Sequence, residues 1–279
     1  MADQSLKAQG RRLLEGIGLA PRTEPPVEAN RLDALRDACP AFRQRLLELK
    51  GGAPEIAWYP HDSLANIETH FDRLADGGSR RVLNGMERMR IADIGAADGD
   101  VAFFLESAGA RVDIIDNPPT NMNGLRGARR MKQLLGSSVG IYEVDLDAQF
   151  HLPGEYDFAL FLGILYHLKN PYYAMEQLAL RVRRAFMSTR VTQFDRPADE
   201  PGAQDISAKP LAYLVGPDEC NGDATNYWMF TDAGLKRMLA RCGWDIVEYK
   251  TAGAVGRSDP WSAEGDERAF VLLESRWLK

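Results

Sequence analysis

The stretch IADIGAADGD, Ile91 to Asp100, runs without a break into VAFFLESAGARVDIID, Val101 to Asp116, and its reading decides the fold. An apolar strand leads into Gly95, and Gly99 opens an amphipathic helix. A second apolar strand then ends in Asp116, twenty-one residues after Gly95. Glycine at such a turn lets the backbone approach a ligand, and an acid at the tip of the second strand accepts the two hydroxyls of a ribose. A plain strand-to-helix turn with a capping aspartate would need neither the second glycine nor that spacing. The combination points to a nucleoside site.

Working outward, the same texture continues from Arg88 to about Val191. Short apolar runs (RVDIID, VGIYEVDL, YDFALFLGIL, RAFMSTRV) alternate with helical patterns (GLRGARRMKQLLG, PYYAMEQLAL). Strands and helices alternating at this pitch give an α/β fold with a mostly parallel sheet covered on both faces. A polar stretch from Gln193 to about Tyr227 is long for a connection and reads as a lid or substrate loop. A helix (TDAGLKRMLARCG), a strand (WDIVEYK) and a last strand (RAFVLLES) follow. Before Arg88 the chain reads as helices, broken at PRTEPPVEA and again by a kink or stop at Pro40, with a further helix over LANIETHFDRLADGG. The expected division is a helical N-terminal extension, 1–79, and a sheet domain, 80–279.

The 279 residues are 45% hydrophobic and 27% charged, which excludes wholesale disorder. Lys and Arg number 34 against 40 Asp and Glu, a formal charge of −6, so bulk charge does not drive binding to nucleic acid. No apolar run approaches a membrane span, and MADQSLKAQGRR lacks the apolar core of a secretory signal. The three cysteines show no pairing or metal-ligand spacing. A soluble cytoplasmic protein without a bound metal is expected.

A dinucleotide turn needs G-x-G-x-x-G so that pyrophosphate can rest on the helix N-terminus. Here Gly95, Ala97 and Gly99 follow a G-x-G-x-G spacing, and Asp93 precedes them. An acid in that place suits a cationic ligand with an amino-acid tail and repels a pyrophosphate. The run resembles motif I of the class I S-adenosylmethionine-dependent methyltransferases, departing at Ala97, where that family more often has glycine. The resemblance implies a Rossmann-like, seven-stranded, mostly parallel sheet whose last strand is antiparallel. It implies that S-adenosyl-L-methionine is held by Asp93, Gly95, Ala97, Gly99, Asp116 and Asn117. Asp145 and Leu146, in YEVDLDA, would lie against the adenine, and Leu162 and Gly163 would end the fourth strand as in motif IV.

Open parallel sheets bind ligands at the carboxyl ends of their strands, so Tyr166 and His167 should project into the pocket. His167 reads as a general base or as a cap on the following helix. From DIGAADGD through LGILYHLKNP the chain is similar to the bacterial group of the tRNA wobble-uridine carboxymethyltransferases. That likeness implies that Arg268, opening an antiparallel last strand, faces the site beside Tyr166, with Lys50 as a third member. In that group such residues hold the carboxylate of carboxy-S-adenosylmethionine, the alternative donor. The catalytic candidates are therefore Tyr166, His167 and Arg268. The expected activity is methyl transfer to an O or N acceptor, most simply a small molecule. The alternatives are carboxymethyl transfer to tRNA, a non-catalytic binding module and a nicotinamide enzyme. Arg126, Arg129, Arg130 and Lys132 are candidate phosphate contacts but read more simply as a solvated helix face.

Overall fold

The computed structural model describes residues 31–65, 69, 70, 73 and 82–278. The helix expected within 1–30 and most of the one expected over 64–78 lie outside these residues.

Five parallel strands form the centre of the sheet: β1 (Arg90–Ile94), β2 (Arg111–Asp116), β3 (Gly140–Glu143), β4 (Tyr156–Leu162) and β5 (Val182–Val191). Their order is β3-β2-β1-β4-β5. β9 (Glu267–Ser275) runs antiparallel along β5, and β8 (Trp244–Gly253) pairs antiparallel with β9. These seven strands are the sheet expected from the sequence, with the last strand reversed.

Alternate residues feed two cores, as the pleat requires. Ile91, Phe158, Leu160 and Phe186 pack under α1 (Arg31–Gly51), α2 (Asp100–Ser107) and α3 (Arg126–Leu135). Ala92, Ile94, Ala159 and Phe161 pack under α4 (Pro171–Ala179) and α5 (Asp232–Arg241) on the other face. Burial on both faces explains why these strands read as continuous apolar runs.

Two features differ from the sequence reading. α1 is one helix through Pro40, which lies on its exposed side while Leu32, Leu35, Cys39 and Leu46 are buried. The ring therefore meets solvent rather than the core, and the helix is not ended. The segment 193–227 is also more than a loop. It carries β6 (Ala212–Leu214), paired antiparallel with β7 (Trp228–Phe230), and a bridge between Phe194 and Asp205. This hairpin joins the sheet where Phe230 pairs with Val191 at the tip of β5. Among the described residues, no helix is long and apolar enough to cross a membrane.

Candidate active site

The parallel strands end along one edge, and the glycine turn lies there. Gly95 and Gly99 have φ of 69° and 82°, a left-handed geometry that disfavours side chains. A Cβ on Gly95 would come 2.2 Å from Ile164 Cδ1, so the stretch after β4 lies directly over the turn. Ala97 adopts φ 54° despite its Cβ, at a cost of about 1–2 kcal/mol. Its N–H donates to Asp116 Oδ2 at 3.1 Å, which holds the strained residue in place.

Asp116 thus meets the glycine turn across the edge. Its other oxygen accepts the Asn117 N–H at 2.7 Å, and Asn121 Nδ2 donates to Oδ2 at 3.1 Å. Burial raises the Asp116 carboxyl, and these hydrogen bonds oppose the shift. Asp93 is 6% exposed, and its Oδ2 has no hydrogen-bond partner among the described residues. Burial, then the nearby Asp116 charge, push its pKa up to about 7.

Side chains from the segment before β1 cover this turn, and their individual contacts were not legible in the sequence. Asp98, 2% exposed, accepts the Tyr59 N–H at 2.8 Å and Asn123 Nδ2 at 2.8 Å. Lys50, at the end of α1, reaches Asp100 at 2.7 Å and Asp98 at 3.4 Å. Tyr59 Oη accepts the Met122 N–H, and Trp58 Nε1 donates to the Lys50 carbonyl. Trp58 and Tyr59 therefore tie the roof to the domain. The signal available in the sequence was the first aspartate of GAADGD, Asp98, whose position inside the turn left it little room to face solvent.

β3 ends at Glu143, two residues short of Asp145. Asp145 is exposed and accepts the Asp147 N–H at 2.9 Å, whereas Leu146 is buried in the core beneath α4. Leu162 closes β4, and Gly163 follows with φ 74°. A Cβ on Gly163 would meet Tyr166 Oη at 3.2 Å and Arg268 Nη1 at 3.9 Å. Residues 102 positions apart thus converge here, and Arg268 Nη1 donates to Tyr166 Oη at 3.3 Å.

The Tyr166 and His167 rings lie 4.4 Å apart. His167 Nδ1 is 3.1 Å from the Thr225 carbonyl oxygen and 3.0 Å from Thr225 Oγ1. A carbonyl only accepts, so Nδ1 carries the proton and Nε2 holds the lone pair. Burial, with a smaller contribution from the Arg268 charge, lowers the imidazole pKa and keeps it neutral. Lys50, expected beside Arg268, is instead committed to Asp98 and Asp100. The α3 cations have partners within the chain: Arg126 with the Asn123 carbonyl, Arg129 with Glu143, Arg130 with Glu55 and Lys132 with the Val139 carbonyl. Among the described residues, no group of three or more His, Cys, Asp or Glu could hold a metal ion.

No family model matches the chain, and no curated protein matches it. Solved structures do. The N-terminal domain of EvdMO1 in the presence of SAH and D-fucose is 16% identical, with a TM-score of 0.51 over 84% of this chain and 95% of that one. An S-adenosylmethionine-dependent methyltransferase from Clostridium acetobutylicum is 9% identical, with a TM-score of 0.50 over 77% of this chain and 95% of that one. These likenesses establish the fold: the chain has the Rossmann-like architecture of the class I methyltransferases.

Proposed function

We propose that the protein is an S-adenosylmethionine-dependent methyltransferase acting on an O or N acceptor of small size. The observation that carries this reading is the meeting of Asp116 with the glycine turn at the Ala97 amide. It puts a half-buried carboxylate where a ribose would lie. The donor set fits a cationic ligand: Asp93 is buried with a free oxygen, and a positive charge beside it would favour its ionised form. Asp93, Gly95, Ala97, Gly99, Asp116 and Asn117 would hold the turn side of the cofactor. In this reading Asp145, Leu146, Leu162 and Gly163 would line the rest. When bound, S-adenosylmethionine supplies an electrophilic methyl group.

The chain's own contribution is mostly placement, since an in-line displacement gains chiefly from proximity and alignment. His167 Nε2 takes the proton of the acceptor's hydroxyl or amine, and Thr225 fixes the tautomer that leaves Nε2 free. Residues 80–279 form the catalytic domain in this reading, and Lys50 and Tyr59 bind 31–65 to it as a roof through Asp98, Asp100 and Met122. The contact of Arg268 with Tyr166 favours a second reading, a carboxylated donor. The engagement of Lys50 elsewhere, and of the α3 cations within the chain, weigh against carboxymethyl transfer to tRNA.

Calorimetric titration tests the proposal. S-adenosylmethionine should bind and NAD should not, and Asp116→Ala should weaken binding by about 2 kcal/mol through lost charge-assisted hydrogen bonds. Unchanged affinity in that variant would refute the reading. Transfer of a labelled methyl group separates an enzyme from a binding module.

A further inference from the structure

The acceptor side of the site holds two arginines that methyl transfer alone does not use. Arg190 and Arg268 are cross-strand partners on β5 and β9. One carboxylate, Asp266, lies 3.5 Å from Arg190 Nε and 3.6 Å from Arg268 Nε. Neither approach is a hydrogen bond, and Arg190 Nε and Asp266 Oδ1 both lack hydrogen-bond partners among the described residues.

The two guanidinium groups are used differently. Arg190, 3% exposed, gives its Nη donors to Cys220 Sγ at 2.8 Å and to the Ser262 and Asp259 carbonyls at 2.7 and 3.3 Å. Burial raises the Cys220 thiol, so it adds no negative charge. Arg268 has one hydrogen bond among the described residues, the 3.3 Å contact from Nη1 to Tyr166 Oη. Its side chain is 38% exposed, its Nε faces Asp266, and its Nη2 makes no hydrogen bond among the described residues. Two cations share one carboxylate, and the open fork lies beside Gly163 and the Tyr166–His167 pair.

A half-buried guanidinium with free parallel donors matches a carboxylate or phosphate in both charge and geometry. An ordinary methyl group offers it nothing. We infer that the acceptor is an anionic small molecule, its carboxylate or phosphate held on the open edge of Arg268 while its nucleophilic atom faces His167 Nε2. This deepens the methyltransferase reading and rests on it. Asn226, next to the Thr225 that holds His167, also lacks a full set of partners. It is 5% exposed, donates to the Cys220 carbonyl at 3.2 Å and keeps Oδ1 unpaired among the described residues. Its neighbour Tyr227 donates its N–H to the Tyr166 carbonyl, which binds this stretch to the same wall.

The test uses the full chain, first titrated with S-adenosylhomocysteine and then, saturated with it, with benzoate, phenyl phosphate and neutral benzamide. One or both anionic probes should bind at least about ten-fold more tightly than benzamide. That preference should vanish in Arg268→Gln and return in part in Arg268→Lys, whose retained charge also serves if the glutamine variant does not fold. Equal binding of all three probes to the wild type, or a preference that survives in Arg268→Gln, overturns the inference. So does a wild type that prefers carboxy-S-adenosylmethionine to S-adenosylmethionine through Arg268 while ignoring benzoate and phenyl phosphate, since the anion then belongs to the donor. Failure to bind S-adenosylhomocysteine overturns the methyltransferase reading instead, and is seen in the first titration before any anion is added.

Discussion

Burial moves Asp93 and His167 in opposite senses, and in each case toward neutrality: the carboxyl rises to about 7 and the imidazole falls. For Asp93 the folded state binds a proton that the unfolded chain releases near the usual carboxylate pKa. Stability should therefore fall as pH rises from about 4 to about 7 through this group. Asp93→Asn should flatten that slope, as urea unfolding at several pH values across the window would reveal. A cationic cofactor should also expel the proton. Titration near pH 6.5 in two buffers of different ionisation enthalpy should show proton release in the wild type and none in Asp93→Asn. His167 makes a different prediction, since its lowered pKa puts the acid limb of kcat/KM below pH 6.5. His167→Gln should lower kcat by about 10²–10⁴ while leaving the S-adenosylmethionine Kd unchanged. A loss of cofactor binding in that variant would reduce His167 to a structural role.

At the scale of elements, Lys50 supplies the ion pairs between α1 and the start of α2. Lys50 is 12% exposed and faces Asp98 and Asp100, which are 2% and 8% exposed. Removing it leaves two buried carboxylates close together, so Lys50→Met should destabilise the protein by about 3 kcal/mol, read from a urea midpoint. This pairing was not legible in the sequence, because Lys50 and Asp98 are forty-eight positions apart and neither belongs to a repeating pattern. The strand–turn–helix–strand unit was legible, since its spacing is local and its glycines are required by φ. β6 and β7 were not, because three-residue strands such as AYL and WMF carry no alternation to read. The meeting of Arg268 with Tyr166 was expected from the family resemblance, together with an antiparallel last strand that begins at the edge where the parallel strands end. The partners of His167 and Asn226 came from 220–228, a polar stretch with no periodicity.

For the whole molecule, a formal charge of −6 and a basic helix whose cations are engaged within the chain give a polyanion little to bind among the described residues. tRNA should show no saturable binding in a mobility-shift assay near physiological salt, and tight retention would restore the tRNA reading. Arg268, by contrast, offers its charge on the scale of one small ligand.

The hairpin of β6 and β7 meets the main sheet through a single residue pair, Val191 with Phe230, while β5 is held along eight paired positions by β9. The wall that touches His167 is thus an outgrowth whose length is independent of the sheet's register. Residues inserted between Leu214 and Trp228 would lengthen it without shifting any strand of the central seven. Substrate range in proteins built this way can diversify like an exchangeable cartridge, with the cofactor machinery left as it is.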